Sequence, residues 1–260
     1  MKMKIFKGEC HIHYYRKHKV WEQENLNYKG NTIANIEKYY IEEAKRKGLD
    51  FIFLTPDTPS LWNDNKKKFD YAFALEKKYN KRRDILVLAG SEIALPGSHI
   101  LALGIKEHVG CKTNLMEVKT AVVKQGGLVI AAHPHTPAWW NWEIFLDGIK
   151  CNVFDGIEFN IYTYKDEISK LEELYRQELR FRKDLCYIGS SDVHGIPEDM
   201  GSIGCTYVQA DSLRKEDILD GLRKGLCVAR YGNKIVGHNV LLHEVAKIIK
   251  AQDNISVENL

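Results

Sequence analysis

Short apolar runs recur along the chain, each followed by a segment whose apolar positions repeat every three or four residues. Residues 1–10 (MKMKIFKGEC) read as a first strand, and the polar, aromatic stretch 14–31 as a long loop over its end. A helix capped by Asn31 or Thr32 follows to Lys47, with Ile33, Ile36, Tyr40 and Ala44 along one side and Gly48 as its stop. Residues 49–55 (LDFIFLT) are apolar at nearly every position, the pattern of a strand buried on both faces. Residues 71–81 are helical in period, 85–89 form a third strand, and Pro96-Gly97 turns the chain into another at 99–104. Asn114 caps a helix to Gln125, and 128–132 is again a strand. The series closes with a strand at 154–159, a charged helix over 165–182, a strand at 185–188, a strand at 205–209, a helix capped by Asp211 or Ser212 that runs to Lys224, and a strand at 226–230.

Strands that alternate with helices argue for a parallel sheet, either doubly wound or closed into a barrel. The polar residues decide between them. His11, His13, Asp57, Glu92, His133, Asn160 and Asp192 each fall at or just after the C-terminal end of a predicted strand. An open sheet spreads its strand ends along a line, whereas in a barrel every end rims the same mouth. The pattern therefore predicts a barrel.

His11 and His13 lie one residue apart on a strand end, so their imidazoles share a face and can hold one cation. Histidines and carboxylates gathered at one mouth would be a costly concentration of polar groups without multivalent cations. An imidazole and carboxylate set without thiolates suits zinc, manganese or iron, and its size predicts two or three ions rather than one. Such a centre lowers the pKa of water and clamps an oxyanion during hydrolysis.

The chain has 260 residues, 44% of them hydrophobic, with no linker, repeat or low-complexity tract. One domain over residues 1–240 is expected, with a helix and tail at 241–260. No apolar run approaches the roughly 18 residues of a membrane span, and the N-terminus lacks the apolar core of a signal peptide, so a cytoplasmic protein without membrane contact is expected. Cys10, Cys111, Cys151, Cys186, Cys205 and Cys227 form no C-x-x-C pair and read as reduced thiols. A net charge of +3 does not argue for nucleic acid. Lys66-Lys67-Lys68 and Lys81-Arg82-Arg83 concentrate charge around one helix, favouring a solvated face over a nucleic-acid contact.

His11-Ile12-His13, Leu54-Thr55-Pro56-Asp57, Gly90-Ser91-Glu92 with His99, Ala132-His133-Pro134 and Gly189-Ser190-Ser191-Asp192-Val193-His194 stand in the order of the motifs of the PHP (polymerase and histidinol phosphatase) family, which the chain resembles over residues 4–230. KGECHIH, AGSEI and SLRKEDILDGLRKG look most like its CehA/McbA-like branch. The resemblance implies a distorted TIM-like (β/α)7 barrel of PHP type. It also implies a di- or trinuclear centre of zinc, manganese or iron that hydrolyses the phosphoester of a small metabolite or nucleotide through a hydroxide held between the ions. Hydrolysis of non-phosphate esters and a barrel that only binds metal are the alternatives.

By position, the resemblance puts His11, His13, Glu92 and Asp192 on one ion, with Glu92 bridging to a second held by His99 and His133. A third would take His194 and Asp57, with His18 as a further candidate. Asp192 or His194 would move the proton. Two positions depart from the pattern. Thr55-Pro56-Asp57 stands where Thr-Asp-His is usual, so either a carboxylate replaces a histidine ligand or Pro56 displaces the loop, and Glu9 stands where Asp is common. His135 reads as a partner behind a ligand, a substrate contact or a plain loop residue. Trp139, Trp140 and Trp142 follow His133 closely enough to wall a pocket or to pack against the rim. Arg230, at the end of the last strand, is a candidate for a substrate anion.

Overall fold

Alternate strand residues sort into two apolar layers, and that sorting sets the architecture. The computed structural model describes residues 4–14, 33–59, 66–80, 84–160, 167–194, 200–253 and 255–260. In chain order its elements are β1 (Lys4–Glu9), β2 (Ile12–His13), α1 (Ile33–Arg46), β3 (Phe51–Leu54), β4 (Asp57–Pro59), α2 (Lys66–Tyr79), β5 (Leu86–Leu95) and β6 (Ser98–Leu103). Then come α3 (Leu115–Val123), β7 (Leu128–Ala131), α4 (Trp142–Lys150), β8 (Gly156–Phe159), α5 (Ile168–Gln177), β9 (Cys186–Gly189) and β10 (Val193–His194). The last are β11 (Gly204–Ala210), α6 (Lys215–Arg223), β12 (Cys227–Tyr231), β13 (Lys234–Gly237), α7 (Asn239–Asp253) and β14 (Glu258–Asn259).

Phe51 and Phe53 of β3 join one layer and Ile52 and Leu54 the other. Leu86 and Leu88 part in the same way from Val87 and Ala89, and Leu101 and Leu103 from Ile100 and Ala102. The first layer fills the interior; the second meets the helices, through residues such as Tyr40 of α1, Phe69 of α2, Val118 of α3 and Phe145 of α4. Both faces of these strands are therefore apolar, as the LDFIFLT run predicts.

The main sheet runs β14-β13-β12-β11-β1-β3-β5-β6-β7-β8-β9. Strands β1-β3-β5 and β7-β8-β9 are parallel, while β6 is antiparallel to both neighbours and β11 to both of its own. The sheet curls until β9 reaches the β11–β12 side. Gly189 donates its N–H to Thr206 Oγ1 at 3.1 Å and accepts from it at 2.8 Å, and Tyr187 N lies 3.3 Å from Cys227 Sγ. A Cβ at Gly189 would overlap the main-chain oxygens of Arg230 and Cys205, so only glycine fits this closure. Ile218, Leu219 and Leu222 of α6 plug the interior, with Leu219 against Gly104 at the end of β6 remote from His99. The result is a distorted TIM-like barrel with one open mouth.

Local departures from the sequence reading have physical causes. Strand β5 does not stop at Gly90 but runs through Ser91 and Glu92 to Leu95, because β4 and β6 flank it there and pair its backbone. Helix α2 begins at Lys66 rather than at 71. Helix α6 has Arg214 at its N-cap, and the Ser212 hydroxyl goes to Asp217 instead of capping. At the C-terminal end, Leu241, Leu242, Val245 and Ile249 of α7 pack on Cys205, Tyr207, Val228 and Ile235, and β14 pairs with β13. No helix among the described residues is long and apolar enough to cross a membrane.

Candidate metal centre

The strand registers assemble the polar residues. Strand β2 is fixed against the end of β3 by Ile12 N to Thr55 Oγ1 at 2.9 Å and Thr55 N to Ile12 O at 3.0 Å. Strand β10 pairs with β2 so that His194 stands opposite His13, and their rings stack at 4.1 Å between centroids. Strand β4 pairs with β5 so that Asp57 stands opposite Glu92. In the β5–β6 pair His99 stands opposite Ala94, diagonal to Glu92, within reach across the same face. His133 lies two residues beyond β7, and the intervening Ala132 N bonds His99 O at 3.0 Å.

Four overlapping groups result, any of which could hold a metal ion: His11, His13 and Asp192; Glu92, His99 and His133; His13, Asp57 and His194; and His11, His133 and Glu158. Glu92 Oε1 lies 2.9 Å from His99 Nδ1 and 3.1 Å from His133 Nε2, while its Oε2 is 3.3 Å from His13 Nε2, so this carboxylate spans two groups. His13 Nδ1 is 3.1 Å from Asp57 Oδ1. Glu158 Oε1 accepts from His11 Nδ1 at 2.9 Å, and its Oε2 accepts the His133 N–H at 2.7 Å.

A carboxylate only accepts, so His11 gives Glu158 its Nδ1–H and, as the neutral imidazole, presents a lone pair at Nε2. That lone pair lies 2.8 Å from His13 Nε2 and 3.3 Å from Asp192 Oδ1. Asp192 Oδ1 is buried with no hydrogen-bond partner, and so is His133 Nδ1. Acceptor atoms this close need protons or a cation between them, and the imidazole and carboxylate donors suit a divalent ion.

Without a cation, protons take that role. Burial works against a charged imidazole at His11, yet the carboxylates of Asp192, Glu158 and Glu92 raise its pKa well above the usual range. His133 is raised too, against its burial, chiefly by its bond to Glu92. Burial favours the neutral form of Glu92 and Asp192, but His11 and its neighbours hold both below the ordinary carboxylate range.

His133 (φ 33°) and Asp192 (φ 47°) are held in left-handed backbone that non-glycine residues rarely adopt. Such outliers cluster where function over-determines local geometry. Behind them sits Glu9, wholly buried. Its carboxylate accepts the N–H groups of Cys10, His11, Ser191 and Gly201 at 3.0–3.2 Å and the Ser191 hydroxyl at 2.5 Å. Burial pushes its pKa up to about 7 against these bonds.

Of the residues singled out in the sequence, His11, His13, Asp57, Glu92, His99, His133, Asp192 and His194 all meet here. Pro56 does not displace Asp57, because Ser91 Oγ and Glu92 N both bond Pro56 O and keep the loop beside β5. His135 is buried two residues beyond His133. Arg230 turns away from the centre, bonding Asp253 of α7 at 2.6 Å and Gly232 O at 3.2 Å. His18 and residues 81–83 lie outside the described residues. Lys66 pairs with Asp70 one turn away at 2.5 Å, as on a solvated face. Glu158 escaped the sequence reading, though a carboxylate in an apolar strand (GIEF) signals a buried partner.

No protein-family model matches the chain. An uncharacterised protein of Methanocaldococcus jannaschii is 28% identical over 133 residues, 48% of this chain and 72% of that protein. Among solved structures, the barrel is similar to a two-domain protein from Bacteroides vulgatus that contains a predicted PHP-like metal-dependent phosphoesterase. The likeness has a TM-score of 0.65 at 21% identity and covers 93% of this chain and 69% of that one. The chain has a PHP-like fold. PsfC from Pseudomonas syringae is similar in fold at a TM-score of 0.57 and 14% identity, over 89% of this chain and 92% of its own. The lesion-specific endonuclease PfuEndoQ from Pyrococcus furiosus is similar at 0.55 and 16%, over 90% of this chain and 59% of its own.

Proposed function

We propose that the protein is a metal-dependent phosphoesterase acting on a small phosphorylated metabolite or nucleotide. The observation that carries the reading is the sharing of Glu92 and His13 between adjoining ligand groups at the mouth of a PHP-like barrel. His11, His13, Glu92 and Asp192 would hold one zinc, manganese or iron ion, and Glu92, His99 and His133 a second. Two such cations would neutralise the charge that develops on a phosphoryl group and make water acidic enough to attack it.

The chain's own residues do the remaining work. Glu158 orients His11 and fixes the main chain at His133, so two ligands answer to one carboxylate. His194 gives its Nδ1–H to Asp192 O at 2.7 Å, which leaves Nε2 as the atom able to give or take a proton. That role and ligation of a third ion beside Asp57 exclude each other, so the number of ions bound decides between them. The mouth is lined by main chain pinned through Glu9, which limits the reorganisation needed when substrate arrives.

Elemental analysis and turnover test the reading. Two or three equivalents of metal with hydrolysis of p-nitrophenyl phosphate support it. Metal with turnover of p-nitrophenyl acetate alone transfers the centre to carboxylic esters. Metal with neither activity leaves a binding barrel, and no metal refutes the centre itself.

A further inference from the structure

Three tryptophans follow His133, and the structure separates them. Trp140 is buried, donates its indole N–H to Ala132 O at 2.6 Å and meets Phe145 and Phe154 edge-on. Trp142 opens α4 and packs on Phe145 at 5.1 Å. Trp139 alone keeps an open ring, 49% exposed, with one face stacked on His99 at 5.1 Å and 29°. His99 in turn bonds Glu92, so this indole stacks directly on a member of the candidate metal groups.

The ring is held ready. Thr136 N bonds His133 O, Trp139 N and Trp140 N both bond Thr136 O, and Asn141 N bonds Gly97 O, all at 3.0–3.1 Å. These bonds stiffen the whole 133–141 loop. Beside the indole lies an open groove of about 620 Å³ walled by Leu95, Pro96, Pro137, Ala138 and His99. Among the described residues no Asp, Glu, Lys or Arg lines it. Its polar side chains include His99, which bonds Glu92, and Asn141, whose Oδ1 accepts Glu143 N at the start of α4, so the remaining wall offers a flat aromatic ring the indole face and the proline edges to bury.

We propose that Trp139 is a stacking platform for an aromatic group on the alcohol side of the phosphoester, so that the substrate is an aryl phosphate or a nucleotide rather than an aliphatic phosphoester. The proposal rests on the phosphoesterase reading above. The phosphoryl group sits at the metals, and the ring it carries extends past His99 into the groove. Stacking of this kind sharpens affinity without touching the reacting atoms, so Trp139 sets specificity rather than chemistry.

Calorimetric titration of the metal-loaded protein with phosphonates that cannot turn over tests it directly. Phenylphosphonate should bind about tenfold more tightly than methylphosphonate. The ratio should fall to near one in Trp139→Ala and be largely kept in Trp139→Phe. The methylenephosphonate analogues of adenosine 5′-monophosphate and of ribose 5-phosphate, equally unable to turn over, separate a base carried on a sugar from a ring joined directly to the phosphorus. A preference within either pair that depends on Trp139 supports the platform. Equal binding within both pairs by the wild-type protein, or a preference untouched in Trp139→Ala, overturns it alone. Failure of every phosphorus ligand to bind overturns the phosphoesterase reading along with it.

Discussion

Replacing Glu158 by glutamine changes one oxygen for an NH2 group and leaves the shape almost intact, so its effect isolates what the carboxylate does. Oε1 accepts from His11 Nδ1 and from the Ser190 hydroxyl, and Oε2 from His133 N. A carboxamide has one acceptor oxygen. With that oxygen toward His11, its NH2 faces the His133 N–H; turned the other way, it faces His11 and Ser190. At least one buried N–H loses its acceptor, at a cost of about 1–3 kcal/mol. The negative charge that makes His11 a better ligand is lost as well. Together these predict metal binding tenfold to a hundredfold weaker, about 1.4–2.7 kcal/mol. Competition against a chromophoric chelator measures the affinity, and elemental analysis the stoichiometry. Glu158→Gln binding the full complement of metal within twofold of wild type would refute the argument that this carboxylate orients His11.

Other expectations follow from the same geometry. His13→Ala should lose more metal equivalents than His99→Ala, because His13 belongs to two ligand groups and His99 to one; equal losses by elemental analysis would count against the shared arrangement. Metal affinity should fall with falling pH, and begin to fall above the ordinary imidazole value near 6.5: burial opposes charge on His11 and His133, but the surrounding carboxylates outweigh it, so protons compete early for these nitrogens. Affinity that stays constant down to about pH 6 would contradict this sign. Gly189→Ala should lower the melting temperature by roughly 5–10 °C, the equivalent of about 2–3 kcal/mol, because main-chain oxygens on both sides leave no room for a methyl group; an unchanged melt would show that the barrel closes elsewhere.

Much of the candidate centre was legible in the sequence because its residues sit at strand ends, where a polar residue interrupts an apolar run. His11, His13, His133 and Asp192 are of this kind. Glu92 reaches the cluster from a different local position than expected, since β5 carries on past it; a polar pair inside a strand looks like its end when the flanking strands cannot be seen. Glu158 hid for the opposite reason. It lies inside β8 with apolar neighbours, and its partners come from three other segments that only the fold brings near. The direction of β6 was hinted by Pro96-Gly97, and the two-residue Gly232-Asn233 turn between β12 and β13 is a hairpin signal that was missed; the antiparallel pairing of β11 gave no local sign, because its partners β1 and β12 are chosen by the curl of the sheet. Arg230, read as a strand-end cation, bonds Asp253, a partner the sequence hid because the helix that supplies it is remote in sequence.

The buried carboxylate of Glu9 joins stretches of chain 182 residues and more apart. It does so at the amide of His11 and beside Asp192, which makes it a keystone: neither the first strand nor the loop after β9 can drift without dragging the other. Fluctuation at the mouth is then concerted, one opening that moves cluster residues from both ends of the chain at once rather than the separate fraying of two edges.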